Sequence, residues 1–153
     1  MRISISADEL TGIASELAGE LERRGHETVG HGVLAERERE DWAWASERVA
    51  RDVAEGRVEQ GVVCCWTGTG ASIAANKVAG VRAALCLDAQ TASGARRWND
   101  ANVLALSLRA TSSAQLIEIL DAWFDGIPSA DADDLANIAH LEEIQSGAGQ
   151  LPT

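Results

Sequence analysis

The sequence predicts an α/β domain with an open, doubly wound sheet of five parallel strands in the order 2-1-3-4-5 and helices on both faces. Short apolar runs rich in β-branched residues alternate along the chain with segments whose apolar residues recur at helical spacing. Short loops join the two kinds of segment, which is typical of parallel βαβ units with right-handed crossovers. A glycine-rich turn also follows the third apolar run and opens a helix, as expected at the carboxyl edge of such a sheet.

The strands are recognised by their composition. The first alternates polar and apolar residues, whereas the third is a continuous apolar run, as in a strand buried on both faces. The predicted strands are Arg2–Ala7, His26–Val29, Gly61–Cys65, Val81–Leu87 and Ala101–Leu106.

The helices are recognised by their spacing and their ends. Apolar residues line one side of the first two, at Leu10, Ile13, Leu17 and Leu21, and then at Trp42, Ala45, Val49 and Val53. The predicted helices are Leu10–Arg24, Asp41–Glu55, Ala71–Lys77, Asp88–Trp98 with Asp88 as its cap, Ala114–Phe124 and Ala130–Gln145. A break at residues 126–128 separates a domain of residues 1–125 from a C-terminal helix and tail of residues 126–153, and we expect the end of the tail to be loose.

Composition excludes several classes of function. The chain has 153 residues and a formal net charge of −11, and an acidic surface argues against nucleic acid or an anionic membrane as a partner. No apolar run approaches the roughly 20 residues that span a bilayer, and the N-terminus lacks a signal-peptide pattern, so we expect a cytoplasmic protein. Three cysteines are too few and too irregular for a disulfide framework or a zinc site.

The segment from Gln60 to Lys77 carries the strongest chemical signal. A strand leads from Gly61 to Cys65, and the turn Thr67-Gly68-Thr69-Gly70 then opens a helix. Such a turn directs backbone N–H groups at one point, where an anion or a developing oxyanion would bind. Cys64 and Cys65 are neighbours in a strand, so one faces the core and the other can face the turn. The alternative is that the glycines only tighten the connection, and the turn matches no nucleotide-binding motif.

A second group of polar residues follows the first strand. Asp8 and Glu9 come directly after Ala7, at the carboxyl end where ligands bind in open parallel sheets. The predicted strand order opens a crevice between strands 1 and 3, which would bring Asp8, Glu9, Cys65 and the turn together. Asp8 could instead cap the helix that begins near Leu10. His31 is interpreted as a solvated loop residue.

Three blocks of the sequence resemble the type B ribose-5-phosphate isomerase and galactose-6-phosphate isomerase family. They are Cys65–Lys77, Gly80–Cys86 and Asn99–Leu104, and the resemblance covers about residues 1–125. It implies a Rossmann-like fold and a homodimer or tetramer whose active sites are shared between subunits, with the C-terminal helix packed on the partner. It also implies interconversion of aldoses and ketoses through an enediolate, with no metal and no cofactor.

The resemblance assigns roles to individual residues. Cys65 matches the family's catalytic base, and Thr67 matches a hydroxyl that contacts the substrate. The amides around Thr69 to Ser72 match the oxyanion stabilisers, together with Asn99 from the partner subunit. We expect Gly68, Thr69, Gly70 and Ser72 to bind the substrate. Asp8 matches an aspartate that binds sugar hydroxyls, and Arg109 matches an arginine that contacts phosphate.

The chain departs from the family pattern at several positions. Glu9 stands where the family has histidine, Trp98 where it has the ring-opening histidine, and Trp66 where it has glycine. Residues 41–44 occupy the segment where the family has a tyrosine, and here they contain none. Residues 133–140 lie where the family has further phosphate-binding arginines, and they contain no arginine. We therefore expect the proton-transfer machinery to be kept, and ring opening and phosphate capture to be weakened.

The tryptophans and the acidic substitutions bear on the substrate. Trp66 and Trp98 would supply flat apolar walls that stack on sugar C–H faces, and packing in the core or a dimer interface is the alternative. A carboxylate at Glu9 repels phosphate, so an unphosphorylated or modified sugar is compatible with the sequence. Two other functions remain open: an epimerase or dehydratase sharing the enediolate step, and a non-catalytic sugar-binding or assembly protein.

Overall fold

The computed structural model describes residues 1–148 and contains a five-stranded parallel sheet with helices on both faces, which confirms the predicted fold class. Residues 149–153, the end of the tail that we expected to be loose, lie outside the described residues. The elements are β1 Arg2–Ala7, α1 Ala14–Arg23, β2 Glu27–Gly32, α2 Trp42–Ala54, β3 Gln60–Cys65, α3 Thr69–Ala75, β4 Ala83–Leu85, α4 Ala89–Asn99, β5 Val103–Ser107, α5 Ser113–Asp125 and α6 Ala132–Ser146. Within residues 1–148, each helix is too short or too polar to span a bilayer.

The strand order is β2-β1-β3-β5-β4, so the last two strands are exchanged relative to the predicted order. The reason is burial. All five residues of β5 are buried, and Ala105 pairs with Val63 on one side and with Leu85 on the other. The three residues of β4 are only partly buried, which suits an edge strand.

The two faces of the sheet carry separate cores. Residues of α1, α4 and α5 cover one face and those of α2 and α3 cover the other, as right-handed crossovers require for this strand order. Along β3, Cys64 belongs to the first core and Cys65 to the second, which confirms that these neighbours point to opposite faces.

The first helix is shorter than predicted. Gly12 has a φ of +53°, and a Cβ at this position would lie 2.5 Å from the carbonyl oxygen of Leu108. The chain therefore turns at Gly12, α1 begins at Ala14, and Leu10 is left exposed.

The helix α6 contains no buried residue. Two of its apolar side chains, Leu141 and Ile144, line a groove of about 920 Å³ together with Trp98 of α4 and the edge strand β4. These three side chains are about half exposed, so an apolar face spans α4, β4 and α6.

A buried carboxylate connects β1, β2 and α2. Asp52 accepts hydrogen bonds from Ser4 Oγ at 2.8 Å and from Arg57 Nε at 2.7 Å, and its Oδ2 lies 2.8 Å from His31 Nε2. His31 lies in β2 with its side chain 13% exposed, so its interpretation as a solvated loop residue is wrong. Burial alone would raise the pKa of Asp52, but the hydrogen bonds from His31, Arg57 and Ser4 outweigh it and lower that pKa.

The other ring nitrogen of His31 holds the loop between β2 and α2. His31 Nδ1 lies 3.1 Å from Glu38 Oε2, and the same oxygen accepts a hydrogen bond from Gly32 N at 3.2 Å. The loop is therefore tied to the buried Asp52 through a single side chain.

Replacing Asp52 by Asn should lower the free energy of unfolding by about 3 kcal/mol, because Arg57 would lose the buried charge that compensates it and the hydrogen bonds to Ser4 and His31 would weaken. Urea denaturation at pH 7 measures this. Glu47→Gln, which breaks an exposed pair with Arg51 on the same helix, is the control and should cost no more than about 0.5 kcal/mol. Equal losses in the two variants would contradict the prediction.

The loss of unfolding free energy caused by Asp52→Asn should depend on pH. Since the native pKa of Asp52 lies below its ordinary value of 3.8, the stabilisation is fully present above that value. It is lost as the pH falls through the lowered native pKa, so the gap between wild type and Asp52→Asn should close in acid.

Candidate active site

The turn after β3 is shaped by Gly68. Its φ of +76° is in the left-handed region, and its N–H donates to Cys65 O at 3.1 Å. A Cβ here would lie 2.5 Å from Leu85 Cδ1 and 2.9 Å from the carbonyl carbon of Leu106. Only glycine meets both conditions, so the chain reverses from β3 into α3 within three residues.

Cys65 lies beneath this turn. Its sulfur accepts a hydrogen bond from Ala71 N at 3.4 Å, and the residue is 4% exposed. The other two cysteines are core residues: burial raises the pKa of Cys64 far above its ordinary value and that of Cys86 to about 12. Cys65 is thus the one thiol, among the three, that adjoins the turn.

Two backbone donors of the turn are unused. Ser72 N donates to Gly68 O, and Ala71 N donates to the sulfur of Cys65. In the part of the chain that the structure describes, the N–H groups of Thr69 and Gly70 have no acceptor. They are available to an oxygen of a ligand, as the sequence predicted for this turn.

The hydroxyls of the turn differ in accessibility. Thr67 Oγ1 and Thr69 Oγ1 lie 2.7 Å apart on exposed residues. Ser72 is partly buried, and its hydroxyl donates to Ala83 O at 3.4 Å, which ties α3 to β4. The threonine pair is therefore the part of this turn that a hydroxylated ligand can reach.

Asp8 lies at the end of β1 and does not cap α1. The N-cap residue of α1 is Ile13, and no side chain caps the helix by a hydrogen bond. The alternative that Asp8 caps this helix is therefore wrong. Asp8 Oδ1 is buried without a partner among the described residues. Burial raises the pKa of Asp8, and the neighbouring charge of Glu9 adds to this rise.

An open depression of about 470 Å³ lies beside these residues. It is lined by five carboxylate side chains and one indole, from Asp8, Glu9, Glu38, Glu40, Asp41 and Trp42. Cys65 does not line it, because the turn covers the sulfur.

Trp42 joins the depression to the turn, a contact that the sequence analysis missed. It begins α2, and a Cβ on Gly70 would lie 3.0 Å from Trp42 Cε3, so the indole rests on the turn backbone. Trp42 is 45% exposed, whereas Trp123 is fully buried. The sequence carried one indication of this contact: Trp42 lies in segment 41–44, where the resembled family has a tyrosine.

Arg109 and Trp66 lie together at the carboxyl edge. Arg109 follows β5, and its backbone N–H donates a hydrogen bond to the carbonyl oxygen of Trp66 at 3.1 Å. Both residues are exposed, so Trp66 is not a core residue of this chain and adjoins the candidate site.

Trp98 and Asn99 lie at the opposite edge of the sheet. Asn99 is the last residue of α4, and its carbonyl oxygen accepts a hydrogen bond from Arg82 Nε at 3.2 Å. Arg82 directly precedes β4. Cys65 pairs with Ser107 at the far end of β5, and five strand residues span roughly 15 Å. Both Trp98 and Asn99 are exposed, and a single chain does not bring them to Cys65.

Among residues 1–148, no three side chains of His, Cys, Asp or Glu are gathered as a metal site requires. The chemistry that the arrangement supports is that of a thiol, free amide donors, hydroxyls and carboxylates.

Comparison with known proteins identifies the family. A family model described as Ribose/Galactose Isomerase matches residues 3–141. Ribose-5-phosphate isomerase B of Escherichia coli is 41% identical over 108 residues, which cover 71% of this chain and 72% of that protein. Galactose-6-phosphate isomerase subunit LacB of Clostridium acetobutylicum is 32% identical over 153 residues, covering 99% of this chain and 88% of that protein.

Solved structures agree with the sequence matches. The structure of Clostridium thermocellum ribose-5-phosphate isomerase B superposes with a TM-score of 0.86 at 33% identity, covering 96% of this chain and 99% of that chain. The match therefore extends over the sheet, both helical layers and the turn after β3. With the family model matching from the first strand into α6, the chain belongs to the ribose/galactose isomerase family.

Proposed function

We propose that the protein is an aldose–ketose isomerase that moves a proton between adjacent sugar carbons through a cis-enediolate. The observation that carries this proposal is the thiol of Cys65 beneath a turn whose Thr69 and Gly70 N–H groups are unused. Such a reaction needs one base for the C–H proton and donors for the oxygen that gains charge. Family membership supports the same chemistry, since the relatives are isomerases of ribose and galactose phosphates.

In this mechanism Cys65, as a thiolate, removes the proton from the carbon next to the carbonyl. The electron pair of that C–H bond forms the C=C bond of the enediolate, and the carbonyl oxygen becomes negative. The amides of Thr69 and Gly70 bind this oxygen. The proton then returns from sulfur to the neighbouring carbon, while a hydroxyl proton passes between the two oxygens with Thr67 in contact. No external oxidant is consumed.

Asp8 is suited to hold the substrate. Its buried Oδ1 has no donor within the described chain, and a sugar hydroxyl would supply one. Trp42 offers its exposed face beside the turn, where it would stack on sugar C–H groups.

We further propose that the active site is completed by a second copy of the chain, in a homodimer or a dimer of dimers. Asn99 and Trp98 are about one strand length from Cys65, so they would contribute to a site only from a partner. The exposed apolar face of α4, β4 and α6 is of the kind that oligomers bury, and α6 would pack there on the partner. Three free cysteines fit a reducing compartment, so we propose the cytoplasm.

Two other functions are compatible with the same site. The 4% exposure of Cys65 and the replacement of the ring-opening histidine by Trp98 favour a sugar-binding protein without turnover. An epimerase or dehydratase would share the enediolate and differ only in the product.

The first test is exchange of the C2 proton with deuterated water, followed by NMR over pentoses and hexoses with and without a terminal phosphate. Cys65→Ala should lower the exchange rate at least about 100-fold, because the base is lost. Cys64→Ala, which truncates the neighbouring thiol on the opposite face, is the matched control and should keep the exchange.

The outcomes separate the candidates. Exchange that survives Cys65→Ala unchanged would remove Cys65 from the role of base. Binding of a sugar without exchange in the wild type would favour the binding protein, and a product of inverted configuration or with water lost would favour the epimerase or dehydratase.

The second test mixes two inactive variants, Cys65→Ala and Asn99→Ala, after separate purification and subunit exchange. In a mixed dimer one site loses both residues and the other keeps both, so about a quarter of wild-type activity should return. If each chain carries a complete site, mixing will restore nothing above the sum of the two variants.

A further inference from the structure

Two arginines hold the segment 99–101 at the end of α4. The carboxylate of Asp100 lies between them: its Oδ2 is 3.0 Å from a terminal nitrogen of Arg82, and its Oδ1 is 3.1 Å from one of Arg96. Arg82 Nε also donates to Asp100 O at 2.9 Å and to Asn99 O at 3.2 Å. Arg96 donates to Ala101 O. The segment is therefore held through its backbone as well as through one side chain.

Both arginines are themselves anchored. Arg96 is 9% exposed, and its guanidinium carbon lies 5.6 Å from the ring centre of Trp123, which is fully buried. Arg82 directly precedes β4, and its backbone N–H donates to Asn102 Oδ1 at 2.8 Å. The ion-pair network of Arg82, Asp100 and Arg96 therefore joins the segment 99–101 to the core and to the edge of the sheet.

Asp100 holds a backbone conformation that favours glycine. It ends α4 with φ +41° and ψ +45°, in the left-handed region. The helix α6 also ends at a residue in this region, and there the residue is Gly147. Within residues 1–148, Asp100 and Arg37 are the two non-glycine residues with a positive φ. Glycine would adopt this turn without strain, so the carboxylate is what aspartate adds at this position.

The segment carries Asn99, which the proposed function assigns to a site shared with a second copy of the chain. Asn99 is exposed, and among the described residues its side-chain amide has no hydrogen-bond partner. An amide NH₂ group offers two donors, which suits an oxygen that gains negative charge. Such donors stabilise that charge best when they are oriented before the reaction, because no free energy is then spent on turning them. The ion-pair network supplies this orientation directly beside Asn99.

We infer that Asp100 is a positioning residue, which acts through the segment 99–101 to orient the amide of Asn99 in the active site of the partner subunit. This inference rests on the proposed function, because that function places Asn99 in a shared site. The alternative is that Asp100 only ends α4, in which case glycine would replace it without loss of activity.

The first test is Asp100→Gly, which permits the left-handed conformation and removes the carboxylate. With D-ribose 5-phosphate and D-galactose 6-phosphate as substrates, kcat should fall between about tenfold and 100-fold, because Asn99 is no longer oriented. KM should change by less than about twofold, because the amide binds charge that develops only in the transition state. Arg37→Gly makes the same backbone change at an exposed residue outside the network and is the control, with kcat unchanged. An unchanged kcat in Asp100→Gly would overturn the inference.

The second test exchanges subunits between variants. In a mixed dimer of Asp100→Gly with Cys65→Ala, one site combines an intact Cys65 with an oriented Asn99, so about a quarter of wild-type activity should appear. A mixture of Asp100→Gly with Asn99→Ala should restore nothing, because both changes impair the same residue. This pattern also requires that the Asp100→Gly chain is folded, since its Cys65 is used.

The mixture of Cys65→Ala with Asn99→Ala is the reference for subunit exchange. If this reference pair regains activity and Asp100→Gly restores activity in both mixtures or in neither, the inference alone is overturned. If the reference pair regains nothing, the shared site of the proposed function is removed, and the inference with it.

A third measurement does not depend on turnover. Backbone amide relaxation by NMR should give order parameters of about 0.85 at Asn99 and Ala101 in the wild type, the value of rigid backbone. They should fall in Asp100→Asn, which tolerates the left-handed conformation, adds no glycine and removes the charge between the two guanidinium groups. Order parameters that stay unchanged would contradict the inference, even if no sugar is turned over.

Discussion

The backbone conformation of Gly68 is the constraint on which the rest of the candidate site depends. Its positive φ and the lack of space for a Cβ against Leu85 and Leu106 force the chain to reverse directly from β3 into α3. The same reversal buries the sulfur of Cys65 under the turn and leaves the N–H groups of Thr69 and Gly70 without acceptors. A buried thiol and two unused backbone donors are thereby brought together within the six residues from Cys65 to Gly70.

Sequence reasoning succeeded where the signal is local. Neighbouring residues alone predict β3, the glycine turn after it and the opposite orientation of Cys64 and Cys65. The structure contains each of these features. The order of the last two strands was wrong because it depends on which strand is covered on both sides. Both predicted strands were apolar runs of similar length, and only tertiary packing reduced one to Ala83–Leu85 at the edge. His31 was misjudged for a similar reason, since its burial is set by Asp52, 21 residues away.

The site itself was predictable in part. Asp8 and Glu9 follow β1 and therefore meet the turn at one edge of the sheet, as the topology requires. Trp42 was not expected to rest on Gly70, because contact between α2 and the turn depends on how the helix packs across the sheet. Asn99 matches the family by sequence and Trp98 departs from it, and a single chain holds both at the amino edge.

The C-terminal helix α6 contributes little to the core of the single chain. No residue of α6 is buried, so its sequence is not constrained by the core that stabilises the remainder of the chain. Substitutions on α6 therefore cost the fold of a single chain little, whereas a side chain at Gly68 would clash with Leu85 and Leu106. The folding of the single chain and the surface that α6 presents are thus set by separate parts of the sequence, so that one can change without disturbing the other.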